Sequence, residues 1–410
     1  MKIFSLTLLV LFFMFFQQPN IEKAVKDICL NNSFSGSILF AINDSIIIND
    51  SYGFSDKKRQ VNNSSNTEYP IASITKLFIK QAVLCLADSQ KLSLRDTLSK
   101  YCNHIKFADS VTISDLLYHK SGIPDIHNRI SYFNEPFKLR NYVSTSILFD
   151  LINSFIQLDF KPGSQVSYSN SNFLILAHIV EKITGKPLDV YLNEIIFLPY
   201  SMLQTGLYKY YSTENGHTAG NYFRNNTNYY VSDFNFMNFW GSGNAYSTTQ
   251  DLFKYYINSK SKLKPEIFYQ LLEHSGYYLG FRSYYKVIPE IGMTLIILSN
   301  NGDFNINLIN NEIIRYVKKE YLGGRNKNLK SNQLFVGSYT SYRNGESLSI
   351  DVTKINNVLR INNNILFQIS ENRFLIDNNS LTSVSFNVMS NNNVELIIND
   401  NGDILKFHKL

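Results

Sequence analysis

Cysteine is scarce in this chain: three occur in 410 residues. Cys29, Cys85 and Cys102 cannot all pair with one another, so no disulfide framework is expected, and Cys85 sits in an apolar run that reads as core. Runs of five or six like charges are missing. The excess of 39 Lys and Arg over 33 Asp and Glu is mild and spread along the chain, which gives no indication of a nucleic-acid partner. Weak attraction to anionic envelope polymers fits that excess. Internal repeats of solenoid period are absent, and the Asn-rich tail reads as loop chemistry. No apolar run reaches the roughly 20 residues that comfortably span a bilayer.

The run from Phe4 to Phe16 is of another kind. It follows Met1-Lys2-Ile3 and precedes polar Gln17-Gln18-Pro19-Asn20, the layout of a secretory signal, so export to the periplasm or the exterior is expected. No A-x-A site follows, and both a cleaved leader and an uncleaved anchor fit. No cysteine directly follows the run, which argues against a lipid-modified N-terminus.

What is present is enough apolar residue, 44%, for a sizeable core in one large domain or in a large one plus a small one. Ile21 to Leu30 has a helical pattern, and Gly36 to Phe40 and Ser45 to Ile48 read as strands around an Asn43-Asp44 turn. Thr112 with Asp115 and Thr248 with Asp251 have capping-box spacing and mark helix starts. Gly280 to Ile288 and Met293 to Leu298 read as strands joined by a tight turn, and Ile306 to Val317 as an amphipathic helix. The polar stretch Gly323 to Asn328 reads as linker. Beyond Gln333 the chain breaks into short alternating runs between Asn, Gly and Ser turns, a small all-β domain. The divisions are 1–19 signal or anchor, 20–322 main domain, 323–332 linker and 333–410 β domain.

Ser73-Ile74-Thr75-Lys76 opens a helix whose following residues, Leu77, Phe78, Ile79, Ala82, Val83 and Leu84, are apolar on nearly every face. Such a helix is buried. Residues three apart share a helical face, so the Lys76 amine reaches the Ser73 hydroxyl, and desolvation favours the neutral amine that can take its proton. The helix N-terminus adds free N–H groups suited to an oxyanion. Ser55 with Lys58, Ser259 with Lys262 and Ser283 with Lys286 share the spacing, but the first two lie in polar segments and the third in a strand, where residues three apart face opposite sides. Tyr168-Ser169-Asn170 follows a Lys161-Pro162-Gly163 turn and precedes an apolar helix. Its phenol would relay protons if a nearby ammonium lowered its pKa, and the Asn170 amide would hold Lys76 and bind a substrate carbonyl. Tyr-x-Asn recurs elsewhere, as at Tyr191 and Tyr256, so the triplet alone is a weak signal. His274-Ser275-Gly276 enters a strand-rich segment in which Gly276 would let a ligand backbone approach.

In this order the three pieces resemble the SxxK, YxN and KTG-like motifs of the serine β-lactamase and penicillin-binding-protein superfamily, especially its class C branch. Tyr69 to Lys76, Leu116 to Pro124, Phe160 to Asn170 and Gly241 to Thr248 are similar to further stretches of that family, and coverage runs from about residue 21 to 320. The resemblance implies an α/β (α+β) fold, an antiparallel sheet flanked by helices plus an all-helical cluster, with the site between them. It implies catalysis through an acyl-enzyme on Ser73, with Lys76 and Tyr168 moving protons and Asn170 orienting Lys76 and the substrate amide. His274, Ser275, Gly276 and Tyr277 would bind substrate, with the Ser73 and Tyr277 N–H groups as oxyanion hole and no metal or organic cofactor.

One departure bears on substrate: His274 stands where lactamases and many DD-peptidases carry a lysine for the substrate carboxylate. Histidine is only partly charged near neutrality, which favours an esterase or a peptidase for D-amino-acid peptides over an efficient β-lactamase. The partner is then a small-molecule or peptide substrate, cell-wall-derived peptides included, and contact with a membrane runs only through the N-terminal segment. The other reading is a sensor that is acylated without turnover, or a noncatalytic binding module. Loops Ile126 to Tyr142 and Ser201 to Phe236 are expected to shape the pocket.

Overall fold

The computed structural model describes residues 21–130, 141–208, 221–224, 227–230, 235–278, 280–322, 333–343, 346–355, 358–362, 364–370, 372–376, 382–389, 393–400 and 403–410. The N-terminal signal or anchor and the linker at 323–332 lie outside the described residues, as do the middles of the two expected pocket loops.

Helix α1 (Ile21–Asn31) buries Ile21, Val25 and Cys29, four apart on one face. It leads to β1 (Gly36–Ile42), buried throughout, and β2 (Ser45–Tyr52). Between them Asn43 and Asp44 take φ of 50° and 59°, the left-handed pair that a two-residue hairpin turn needs. Helices α2 (Thr75–Asp88), α3 (Asn170–Thr184) and α4 (Thr249–Lys262) follow, then β3 (Glu273–Tyr278), β4 (Phe281–Ile288), β5 (Met293–Ser299) and α5 (Asn307–Val317). The five strands form an antiparallel sheet in the order β3-β4-β5-β1-β2. Gly36 pairs with Ser299, so the two ends of this domain meet at the centre of the sheet.

Strand alternation divides the apolar residues between two cores. Ile38, Phe40 and Ile42 face α1 and α5, while Leu39 and Ala41 face the core built around α2, α3 and α4. Both faces are covered, which is why β1 and β5 read as continuous apolar runs. Phe78 of α2 is fully buried, its ring edge-on to Phe197 and Tyr255 at 5.1 Å each. Thr112 and Asp115 form the expected capping box, and the Thr248 hydroxyl accepts the Asp251 N–H.

The last eight strands of the chain are β6 (Gly337–Arg343), β7 (Glu346–Ile355), β8 (Val358–Ile361), β9 (Asn364–Ser370), β10 (Arg373–Ile376), β11 (Ser383–Val388), β12 (Val394–Asp400) and β13 (Asp403–Lys409). They run in sequence order around a closed antiparallel barrel, sealed where Tyr339 of β6 pairs with Lys409 of β13. Phe335, Phe374 and Phe386 pack in its centre. The barrel is docked on the larger domain: Leu375 and Phe367 join the core beneath α1 and α5, and Arg373 pairs with Glu290 and lies over the Tyr269 ring.

All three cysteines are free. Cys85, read as core, is half-buried and packs against the core of the helical cluster. Among the described residues no helix is long and apolar enough to cross a membrane.

Candidate active site

Ser73 lies in a short 3-10 turn, Ala72–Ile74, that feeds directly into α2. Ala72 takes φ of 47°, a left-handed conformation that a β-carbon disfavours. Several bonds hold this turn. Ile71 N–H donates to Ala245 O at 2.9 Å, Thr75 Oγ1 donates to Ala72 O at 2.6 Å, and Ser283 Oγ donates to Ile71 O at 2.7 Å. Gly276 of edge strand β3 presses against the same turn. A β-carbon there would sit 2.5 Å from Ile71 O and 3.0 Å from the Ala72 β-carbon. The close approach expected from Gly276 is therefore made by the protein's own serine-bearing turn.

Lys76 is 1% exposed, and its Nζ lies 3.1 Å from Ser73 Oγ, 2.8 Å from Asn170 Oδ1 and 2.6 Å from Ser242 O. Each of these partners is neutral. Burial lowers its pKa to about 7, with the Asp125 anion pulling the other way. A neutral amine donates two hydrogens, to Asn170 and Ser242, and its lone pair is then left for the Ser73 hydroxyl. Tyr168 OH donates to Ser73 Oγ from the other side at 2.9 Å. Its pKa is pushed above the ordinary phenol value by desolvation and, to a lesser degree, by the Asp125 anion, tempered by the Ser73 bond. The lowered phenol pKa expected from a neighbouring ammonium is not found; desolvation and the Asp125 anion both raise it.

Two residues to which the sequence assigned no role complete the cluster. Asp125 Oδ2 accepts from Asn170 Nδ2 at 3.0 Å. A carboxylate only accepts, so this bond fixes the amide with its oxygen toward Lys76. Burial raises the Asp125 pKa, but its bonds from His127 and Asn170 outweigh that and keep it below the ordinary carboxylate value. His119 stacks on the Tyr168 ring at 4.5 Å, and its Nδ1 accepts the Ser169 N–H at 3.1 Å. The signal for both was the Leu116 to Pro124 stretch with the aspartate that follows it; nothing in the spacing said what either side chain touches.

His274 and Ser275 line the same cleft as Lys76 and Tyr168, a space of about 1430 Å³. His274 Nδ1 lies 2.6 Å from Ser275 O, and because a carbonyl only accepts, Nδ1 carries the proton and Nε2 is bare in the neutral ring. Burial, Lys76 and Lys80 together lower its pKa to about 3, although its ring keeps partial contact with solvent. The ring is thus neutral near neutrality rather than partly charged. Tyr277 lies farther out on β3, half-exposed with Arg282 over its ring at 4.5 Å.

The rival serine–lysine spacings lead elsewhere. Lys286 Nζ donates to Glu273 Oε2 at 2.8 Å, and Lys262 Nζ donates to Pro199 O at 2.6 Å. Among the described residues no group of three His, Cys, Asp or Glu is placed to hold a metal ion.

The Beta-lactamase family model matches residues 31–272. Protein flp of Staphylococcus aureus (strain N315) is 32% identical over 259 residues, 60% of this chain and 50% of that protein, so the chain spans about half the length of the flp proteins it matches. Two solved structures share the fold. One is the octameric penicillin-binding protein homologue from Pyrococcus abyssi, with TM-score 0.63 and 19% identity over 95% of this chain and 99% of that one. The other is the D-amino acid amidase from Ochrobactrum anthropi SV3, with TM-score 0.64 and 17% identity over 73% of this chain and 98% of that one. The chain belongs to the Beta-lactamase family.

Proposed function

We propose that the protein is an exported hydrolase that cleaves an ester or amide through an acyl-Ser73 intermediate and prefers small esters or D-amino-acid peptides to β-lactams. The observation that carries this reading is the buried, neutral-partnered Lys76 amine 3.1 Å from Ser73 Oγ. Ser73 Oγ attacks the carbonyl carbon as its proton passes to Lys76. Tyr168, held as a phenol, gives its proton to the leaving group and is reprotonated from the Lys76 ammonium. In the second half, water loses a proton along the same path, attacks the acyl carbon and releases the acid, and Ser73 regains its proton. The N–H groups of Ser73 and Tyr277 are the oxyanion donors of this scheme. Asp125 and His119 act through others, the first by orienting Asn170 and the second by bracing Tyr168.

The neutral His274 favours esters and peptides over carboxylate-bearing lactams. Its bare Nε2 accepts a hydrogen bond and offers no cation. The amide chemistry named for the Ochrobactrum neighbour supports the same choice. The test is intact-mass analysis of wild type and Ser73→Ala after exposure to a fluorophosphonate, a penicillin and 4-nitrophenyl acetate, with turnover followed in parallel. Labelling and ester turnover in the wild type, both lost in Ser73→Ala, are expected. A folded wild type that shows neither sinks the hydrolase, and stable labelling without turnover would point to a sensor.

A further inference from the structure

The cleft beside Ser73 has a second wall that comes from the C-terminal barrel. In β11 the side chains alternate: Val384 and Phe386 point into the barrel core, so Ser383, Ser385 and Asn387 point outward, and all three line the cleft that contains Lys76, Tyr168 and His274. Ser385 pairs across the sheet with Arg373 of β10 on one side and Ile397 of β12 on the other, and both of these also face the cleft. Arg373 is already engaged by Glu290 and by the Tyr269 ring, so its charge is used in docking the barrel. Besides the aliphatic Ile397 and Val388, what this wall presents to the cleft is therefore hydroxyl and amide groups. The cleft, at about 1430 Å³, is larger than small-ligand pockets of roughly 300–1,000 Å³.

We propose that the outward face of β10–β12 is a substrate-binding wall that takes the uncharged, amide-rich chain of a peptide substrate at a distance from its scissile bond. Serine hydroxyls donate and accept, and the Asn387 amide, one hydrogen of which goes to Glu395 Oε2 at 3.3 Å, keeps its oxygen and second hydrogen, which matches a peptide backbone, while the Arg373 charge is taken by Glu290. The proposal deepens the hydrolase reading and rests on it. The barrel then has a role in recognition, because its docking through Leu375, Phe367 and Arg373 sets the width of the cleft.

The test compares three esters with wild type, Ser385→Trp, Asn387→Trp and, at an exposed position outside the cleft, Ser349→Trp. The esters are 4-nitrophenyl acetate, the 4-nitrophenyl ester of N-acetyl-tetraglycine, and O-acetyl-tyrosyl-tetraglycine, which extend the acyl side and the leaving side in turn. Both cleft variants are expected to lose about tenfold in kcat/KM for at least one extended ester while keeping acetate turnover and melting temperature. Ser349→Trp keeps all three rates. Unchanged ratios between extended and short esters in both cleft variants would overturn the barrel wall and leave the hydrolase standing. A folded wild type that turns over none of the three and takes no fluorophosphonate at Ser73 would overturn the hydrolase, and the wall with it.

Discussion

Among the described residues two lysines are buried, one at the start of α2 and one in β4, and they have different surroundings. Lys76 is 1% exposed and meets a hydroxyl, an amide oxygen and a backbone carbonyl; Lys286 is 3% exposed and meets the Glu273 carboxylate at 2.8 Å. A carboxylate in direct contact compensates a buried ammonium and makes it part of the structure. Neutral acceptors satisfy its hydrogen bonds without balancing its charge, so the proton is held weakly enough to move. Burial is common to both sites, and the counter-charge separates a lysine with a lowered pKa from a strut.

Removing each lysine is the largest way to break this contrast. Lys76→Ala is expected to lower kcat/KM for 4-nitrophenyl acetate by about 10³-fold or more while the protein stays folded, as read by ester turnover and thermal melting. Full activity in that variant would remove Lys76 from the mechanism. Lys286→Met should do the reverse, costing about 3–5 kcal/mol of stability by leaving Glu273 buried without its partner, with turnover retained in the folded fraction. Adding Glu273→Gln should restore most of that loss; a double variant no more stable than the single one would show that the pair is not the cause.

A smaller effect tests the neutral surroundings of Lys76 directly. kcat/KM should rise with pH through a limb near 7, since only the uncharged amine accepts the Ser73 proton. The groups facing that amine are Ser73, Asn170, Ser242 O and Tyr168, with His119 and His274 coupled to its charge and Asp125 behind Asn170. Asp125 is the anion among them and raises the lysine pKa, so Asp125→Asn should move the limb to lower pH, and a variant that loses stability alone would leave the limb in place. Stability follows the same sign. The folded pKa lies below the ordinary lysine value of 10.5, so the contribution of Lys76 is full above that value and is lost as pH falls through about 7.

The smallest expected change sharpens the contrast on the substrate side. His274→Lys places a cation where the neutral ring stands, and should raise the ratio of kcat/KM for a carboxylate-bearing ester over its amide-capped twin by about fivefold to tenfold. An unchanged ratio would show that His274 does not face the substrate's distal group.

The serine, lysine, tyrosine and asparagine were legible because local order places them. Ser73 and Lys76 share one helical face, and Tyr168 and Asn170 stand at the mouth of α3. The hairpin at Asn43-Asp44 and the helix caps were legible for the same reason, each being settled within four residues of chain. Asp125 and His119 were harder, because their partners lie 45 and 50 residues away. Closure of the last eight strands into a barrel was equally out of reach, since it depends on Tyr339 meeting Lys409 at the far end of the tail.

The sequence by itself determined which residues could do chemistry, because residue type, helical spacing and the apolar run after Ser73 are local properties. Only the tertiary structure decided which lysine would stand among neutral partners. The same serine–lysine spacing occurs at Ser283 with Lys286, but β4 turns Ser283 toward Ile71 and Lys286 toward Glu273. Whether a buried amine meets a carboxylate or a carbonyl is set by chain segments far apart in sequence, and that meeting fixes its charge.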